Sequence, residues 1–228
     1  MIFNTNAKTR LMNESASREK ILQKTRNALI HKPAQSQLLN VDFESPVYTI
    51  AEEEPEVLFA HKFTSLTGKF AFCEHVDEFE QIFKEFITES GYGEVFCTEN
   101  KLKDILQKAG IKYNDNADQA TEHKATLTFC EYLIARTGSI MISSRQASGR
   151  KQAVFPDTHI VVAFTSQLVD DIKDALKAIK IKYGENSPSM ISLISGPSRT
   201  ADIEKTLVLG AHGPKEIFVF LIDDTPKK

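Results

Sequence analysis

Hydrophobic positions in this chain switch repeatedly between a helical spacing and short continuous runs, and glycine or a capping residue marks many of the switch points. Residues 1–14 read as a frayed leader. Ser15 then precedes an amphipathic pattern with Ile21, Leu22, Thr25, Ala28 and Leu29 on one face, which predicts a helix over 16–31 ending near Pro33. The stretch to residue 48 carries Pro33, Ser36, Asn40, Ser45 and Pro46 without a period and reads as an extended connection. Beyond it the pattern predicts a helix over 55–66, a strand over 69–73 and a helix over 77–89 with Phe79, Ile82, Phe83 and Phe86 on one face. A strand over 94–97 and a helix over 101–109 closed by Gly110 follow. The apolar runs 127–134 and 139–143, separated by Arg136-Thr137-Gly138, suggest strand–turn–strand. Alternation resumes with a strand over 160–164, a helix over 167–179, a strand over 190–194, a helix over 199–209 and a closing strand over 216–222. Strand followed by helix, again and again, implies crossover units. The expected fold is therefore α/β, a mostly parallel central sheet flanked by helices, over 49–228, with an N-terminal helix and extended connection over 1–48.

Composition narrows the classes. The 228 residues are 41% apolar and 26% charged, the profile of a globular protein with one sizeable core. A formal charge of -3, with lysines interleaved among acids, argues against a nucleic-acid polymer as partner. No stretch approaches the roughly 18 consecutive apolar residues of a membrane span, and the first residues lack a charged segment followed by an apolar one, so no membrane insertion and a cytoplasmic location are expected. Cys73, Cys97 and Cys130 lie far apart inside apolar runs, which fits buried thiols and not a cluster or a disulfide framework. The six histidines show no metal-ligand spacing, so no metal site is expected.

Four stretches can carry chemistry. In Ser195-Gly196-Pro197-Ser198-Arg199-Thr200, a strand feeds a small-residue turn that opens the helix expected over 199–209. Backbone N–H groups and the helix dipole would then point into one spot beside Ser195, with Gly196 allowing close approach, Ser198 and Thr200 offering hydroxyls, and Arg199 a planar fork for carboxylate or phosphate. Simple capping, with Asp202 and Glu204 complementing the dipole, accounts for the same residues. Thr137-Gly138-Ser139 can present hydroxyls around a glycine of positive φ, as a pocket wall or as a hairpin turn. Arg145, Arg150 and Lys151 form a basic loop that either closes over an acidic ligand or is merely solvated. His212-Gly213-Pro214 follows the expected helix, which would carry His212 away from Arg199 within one protomer.

Taken together, the run 195–204, the run 208–214 and the closing strand strongly resemble the LUD domain of the lactate utilization protein C (LutC/YkgG) family. Thr137-Gly138-Ser139-Ile140, Arg150 and Pro156-Asp157-Thr158-His159-Ile160 fall in the expected order, and Ser17-Arg18-Glu19-Lys20-Ile21-Leu22 with Arg26, Ala28 and Leu29 is similar to that family's leading helix. The resemblance implies a fold of the NagB/RpiA/CoA-transferase type and a role in oxidising L-lactate to pyruvate. In that role a component without cofactors of its own works beside iron–sulfur subunits, which carry the clusters. Members commonly have an acid directly before Thr-Gly-Thr; here Arg136 stands there and Ser139 replaces the second threonine. A carboxylate base or nucleophile is thus absent at that point, and a cationic Arg136 favours an anionic ligand.

The leading expectation is a lactate utilization component that binds a small anionic metabolite or nucleotide. Arg199 pairs with the anion, the 196–200 amides cradle it, and Thr137, Gly138, Ser139, Arg150, Asp202 and His212 complete the candidate site. Two alternatives stand beside it: an independent enzyme acting on a phosphorylated or CoA-linked metabolite, and an assembly subunit without ligand chemistry, docking through its N-terminal helix. Whether the chain is an enzyme stays open at this level.

Overall fold

The computed structural model describes residues 19–27, 53–119, 123–200, 208–210 and 212–225. The chain divides into two compact units, Met1–Ile50 and Ala51–Lys228. In the first, residues 19–27 are helical, with the Thr25 hydroxyl donating to the Ile21 carbonyl at 3.0 Å. The expected ends of that helix and the connection to residue 48 lie outside the described residues.

The second unit is built on a six-stranded, all-parallel sheet. Its strands are β1 (Lys69–Cys73), β2 (Val95–Phe96), β3 (Tyr113–Asn114), β4 (Ala125–Phe129), β7 (Thr158–Phe164) and β12 (Glu216–Ile222), in the order β1-β12-β7-β4-β2-β3. β4, β7 and β12 are buried at nearly every residue because helices or a second sheet cover both of their faces, and the polar residues among them, Thr126, Thr128, Thr158 and His159, are buried too. One face carries α2 (Val76–Ser90) and α3 (Asn100–Ala109), which bury Phe79, Phe83, Leu102 and Leu106. α2 starts where His75 Nδ1 accepts the Glu78 N–H and stops at Gly91 in the left-handed region, so the i, i+4, i+8 stripe Phe79, Phe83, Ile87 is framed by its own caps.

The other face carries α1 (Pro55–Ser65), with Phe59 and Phe63 stacked at 5.4 Å, and a smaller sheet. That second sheet runs β8-β5-β6-β9, from β5 (Tyr132–Ile134), β6 (Ser139–Ser143), β8 (Leu168–Val169) and β9 (Ile191–Ile194). β6 pairs antiparallel with both β5 and β9, while β5 and β8 are parallel. α4 (Ile172–Tyr183) covers its far face through Ala175 and Ile179 against Ile134 and Met141.

Three expectations are corrected. The run 127–134 is not one strand: β4 ends at Phe129, and after Cys130-Glu131 the chain enters the second sheet as β5. The helix expected over 167–179 begins only at Ile172, because Leu168–Val169 pairs with Leu133 and Ile134 as β8 and Asp171 caps the helix by accepting the Lys173 N–H. The helix expected over 199–209 is replaced at both described ends by a two-stranded ribbon. In it β10 (Arg199–Thr200) pairs antiparallel with β11 (Val208–Leu209). Gly196 turns the chain at φ 81°, and Ser198 is then fixed on both sides, its N–H donating to Pro214 O at 2.8 Å and its carbonyl accepting from Gly210 N at 3.0 Å. Such pairing holds Arg199 extended and removes the helix start on which the anion cradle was drawn. Residues 201–207, Asp202 among them, lie outside the described residues.

Candidate functional site

Two constellations occupy opposite ends of β6, a five-residue strand about 13 Å long at about 3.3 Å per residue. The first gathers the stretches singled out in the sequence. Ser139 Oγ, at the start of β6, lies 2.7 Å from Ser195 Oγ, at the end of β9, so the turns 137–139 and 195–200 meet. Both lean on the C-terminal end of α1. A Cβ on Gly138 (φ 59°) would stand 2.5 Å from Phe63 N, and one on Gly196 would stand 2.5 Å from Leu66 O. Only glycine serves at either place, for left-handed backbone and for closeness together.

The Arg199 Nη2 donates to Leu66 O at 2.9 Å and to the Thr67 hydroxyl. Thr67 itself sits at φ 66°, the single non-glycine residue of positive φ among the described residues, and a β-branched one. Its conformation closes α1: the Thr67 N–H donates to Thr64 O at 2.8 Å and the Gly68 N–H to Phe63 O at 3.0 Å, the pairing of a helix that ends on a left-handed residue. The buried Thr137 Oγ1 has no hydrogen-bond partner. His212, expected far from Arg199, is brought near the turn instead: the ribbon returns the chain so that a Cβ on Gly213 would stand 3.0 Å from Ser198 Cβ. Arg150 does not join this group; it is exposed and its Nη2 donates to Ser189 Oγ at 2.7 Å. Nor is Arg136 unengaged, as a ligand-pairing cation would be: its Nε donates to Asp171 Oδ2 at 2.6 Å, tying the 135–137 turn to the start of α4.

The second constellation was missed in the sequence. A cavity of about 530 Å³ opens beyond the carboxyl ends of β2, β4 and β7, the position where open parallel sheets receive ligands. Glu99, Phe129, Glu131, Phe164, Lys182 and Tyr183 contribute to its wall. Glu131 is fully buried. Its Oε1 accepts from Ser143 Oγ at 2.6 Å and Tyr183 Oη at 2.7 Å, and its Oε2 from Lys182 Nζ at 2.8 Å. Burial opposes its ionisation, yet the ammonium and two hydroxyls outweigh it and hold the carboxyl below the ordinary range. Glu99 goes the other way: burial raises its carboxyl more than the N–H of Phe129, 2.6 Å from Oε2, and Ser148 lower it. The legible signal was a lone charge, Glu131, inside an otherwise apolar run.

A further groove of about 490 Å³ lies along the edge strand β1 and is largely apolar, with Val57, Phe70 and Phe72 in its wall. All three cysteines are buried and free of disulfides, and burial pushes Cys73 to about 11 and Cys97 to about 12. Such thiols stay protonated and pack as small hydrophobes. Among the described residues no group of three His, Cys, Asp or Glu side chains could hold a metal ion, and no helix is long and apolar enough to cross a membrane.

A parallel sheet, a smaller sheet on one face and a glycine-built corner where they meet α1 define the class, an α/β protein with a parallel central sheet flanked by helices. The LUD domain family model matches residues 58–222, and the chain belongs to that family. It is 31% identical over 168 residues to Lactate utilization protein C of Bacillus pumilus (strain SAFR-032), covering 65% of this chain and 70% of that protein. It is 30% identical over 131 residues to Lactate utilization protein C of Halalkalibacterium halodurans and 34% over 138 residues to Lactate utilization protein C 1 of Bacillus mycoides (strain KBAB4). Of those two relatives it spans only 57% and 58% of the length. In fold it is similar to the crystal structure of a DUF162 family protein from Deinococcus radiodurans, with a TM-score of 0.57, 17% identity, and coverage of 76% of this chain and 99% of that one.

Proposed function

We propose that this LUD-domain chain serves lactate utilization as a component that supports oxidation of L-lactate to pyruvate beside iron–sulfur subunits. In this reading the partners carry the electron-transfer clusters, and this chain binds a small anion where the turns 137–139 and 195–200 meet. The names of the relatives support the process. The observation that carries the site is the convergence on the end of α1: the Ser139 and Ser195 hydroxyls in contact, a buried Thr137 hydroxyl without a partner, and the exposed Arg199 donating to Leu66 O and the Thr67 hydroxyl. Hydroxyls and a guanidinium together suit a carboxylate or phosphate. Because the Ser198 amide is engaged by Pro214, side chains and not a helix start do the recognising.

Calorimetric titration of the purified chain with L-lactate, pyruvate and inorganic phosphate tests the site. At least one binds, and Arg199→Ala weakens it more than tenfold, in keeping with a charge-assisted hydrogen bond worth about 1.5–3 kcal/mol. Arg199→Lys, which retains the charge without the fork, recovers part of the affinity, and thermal unfolding of each variant separates this loss from loosening of α1. No binding of all three by the native chain, or unchanged affinity in Arg199→Ala, refutes the site. The process is tested separately: deleting the gene for this chain abolishes growth on L-lactate, and normal growth rejects the assignment.

A further inference from the structure

We propose that the strand-end cavity at the other end of β6 is a second ligand site, and that it takes a planar heteroaromatic ring bearing a phosphate, of which a nucleoside monophosphate is the compact example. Size comes first. At about 530 Å³ the cavity falls in the range that encloses ligands far larger than a three-carbon acid, so lactate or pyruvate would leave most of it to water. The wall comes second. Phe129 and Phe164, each half-buried at the end of a parallel strand, form a tilted aromatic pair with centroids 6.0 Å apart and offer an apolar surface for a flat ring.

Charge comes third. Two ammonium groups flank the cavity from different helices: exposed Lys101 in the first turn of α3 and half-exposed Lys182 near the end of α4. Lys182 Nζ has three donors, of which Glu131 Oε2 takes one. Both buried carboxyls are engaged within the chain, Glu131 by Ser143, Tyr183 and Lys182 and Glu99 by the Phe129 N–H, so they shape the floor without demanding a cation from the ligand. The amides that open α3 add a positive partial charge beside Lys101. Aromatic wall and flanking ammoniums together select a ring and a phosphate on one molecule. This site does not depend on the lactate reading, and either can fail without the other.

The test is calorimetric titration of the full chain with adenosine 5′-monophosphate, adenosine and inorganic phosphate as separate probes. The nucleotide binds at least tenfold more tightly than either fragment. Lys101→Ala, an exposed change that spares the fold, weakens the nucleotide at least threefold, and Phe164→Leu, which keeps an apolar filler but removes the ring, weakens it as well. Three results overturn the proposal: no nucleotide binding at millimolar concentration, phosphate alone binding as tightly as the nucleotide, or nucleotide binding that is lost in Arg199→Ala and intact in Lys101→Ala.

Discussion

His159 is fully buried on β7, with Nε2 2.8 Å from Thr128 Oγ1 and Nδ1 without a partner. Burial alone depresses its pKa to about 4, against an ordinary value of 6.5. Above pH 6.5 the ring is neutral whether the chain is folded or not, and nothing is lost. Between 6.5 and 4 the unfolded chain takes up a proton that the folded chain refuses, so stability falls as pH falls, and below 4 the loss levels off. The expected total is on the order of 3 kcal/mol. Denaturant titrations of the native chain and of His159→Gln at several pH values check this: the native curve is steeper by up to about 1.4 kcal/mol per pH unit within that window. The sequence placed this histidine in a motif but could not show its burial, because β7 starts at Thr158 and not at Ile160. Residues 137–139 and 195–199 were legible for the opposite reason: glycines beside hydroxyl residues are local signals. The partners they meet, Leu66 and Thr67, are more than 120 residues away from Ser195 and carry no local mark.

Helices with their own caps are the elements the pattern predicts well. α2 and α3 each end at a left-handed glycine, Gly91 and Gly110, and each presents a regular apolar stripe. α4 was misjudged because Leu168 and Val169 continue its apolar spacing while pairing as β8, so only the capping residue reveals the start. Asp171 does two things there. It accepts the Lys173 N–H and receives the Arg136 guanidinium, which chiefly accounts for a carboxyl held below its ordinary range. Asp171→Ala is expected to lower stability by about 1–2 kcal/mol, and Asp171→Asn to restore the capping part but not the ion pair. Chemical denaturation of the three proteins measures both. With folded-state pKa depressed, this contribution is full above the unfolded value and fades as pH falls through the folded one, so the Asp171→Ala deficit shrinks in acid. The ribbon β10–β11 was hidden by helical spacing at Ile203, Thr206 and Leu207; what holds its ends extended is Pro214 and Gly210 clasping Ser198, a non-local reason.

At the scale of the whole molecule, alternation of strands and helices yielded the parallel sheet, but not the order of its strands or the existence of a second sheet. Neither has a local signature: β12 reaches the interior between β1 and β7 from the far end of the chain. The LUD match over 58–222 falls wholly inside the unit Ala51–Lys228, whose core is its own. Residues 51–228 produced alone are therefore expected to unfold in one cooperative transition, seen as coincident circular dichroism and tyrosine fluorescence curves; non-coincident or absent transitions would contradict a self-sufficient core. The join between the two sheets has a consequence for how this architecture tolerates change. Only Cys130 and Glu131 separate the last residue of β4 from the first of β5, so there is no slack at the seam. One extra amino acid there would rotate every side chain downstream in β5 onto the wrong surface, and Glu131 would leave its ring of donors. Labels belong instead on exposed side chains such as Arg150 and Lys151, clear of the buried Gln152 and Ala153 that follow them; the shape of the strand-end chamber is written into covalent bonds at the seam, and no repacking of neighbours can edit it.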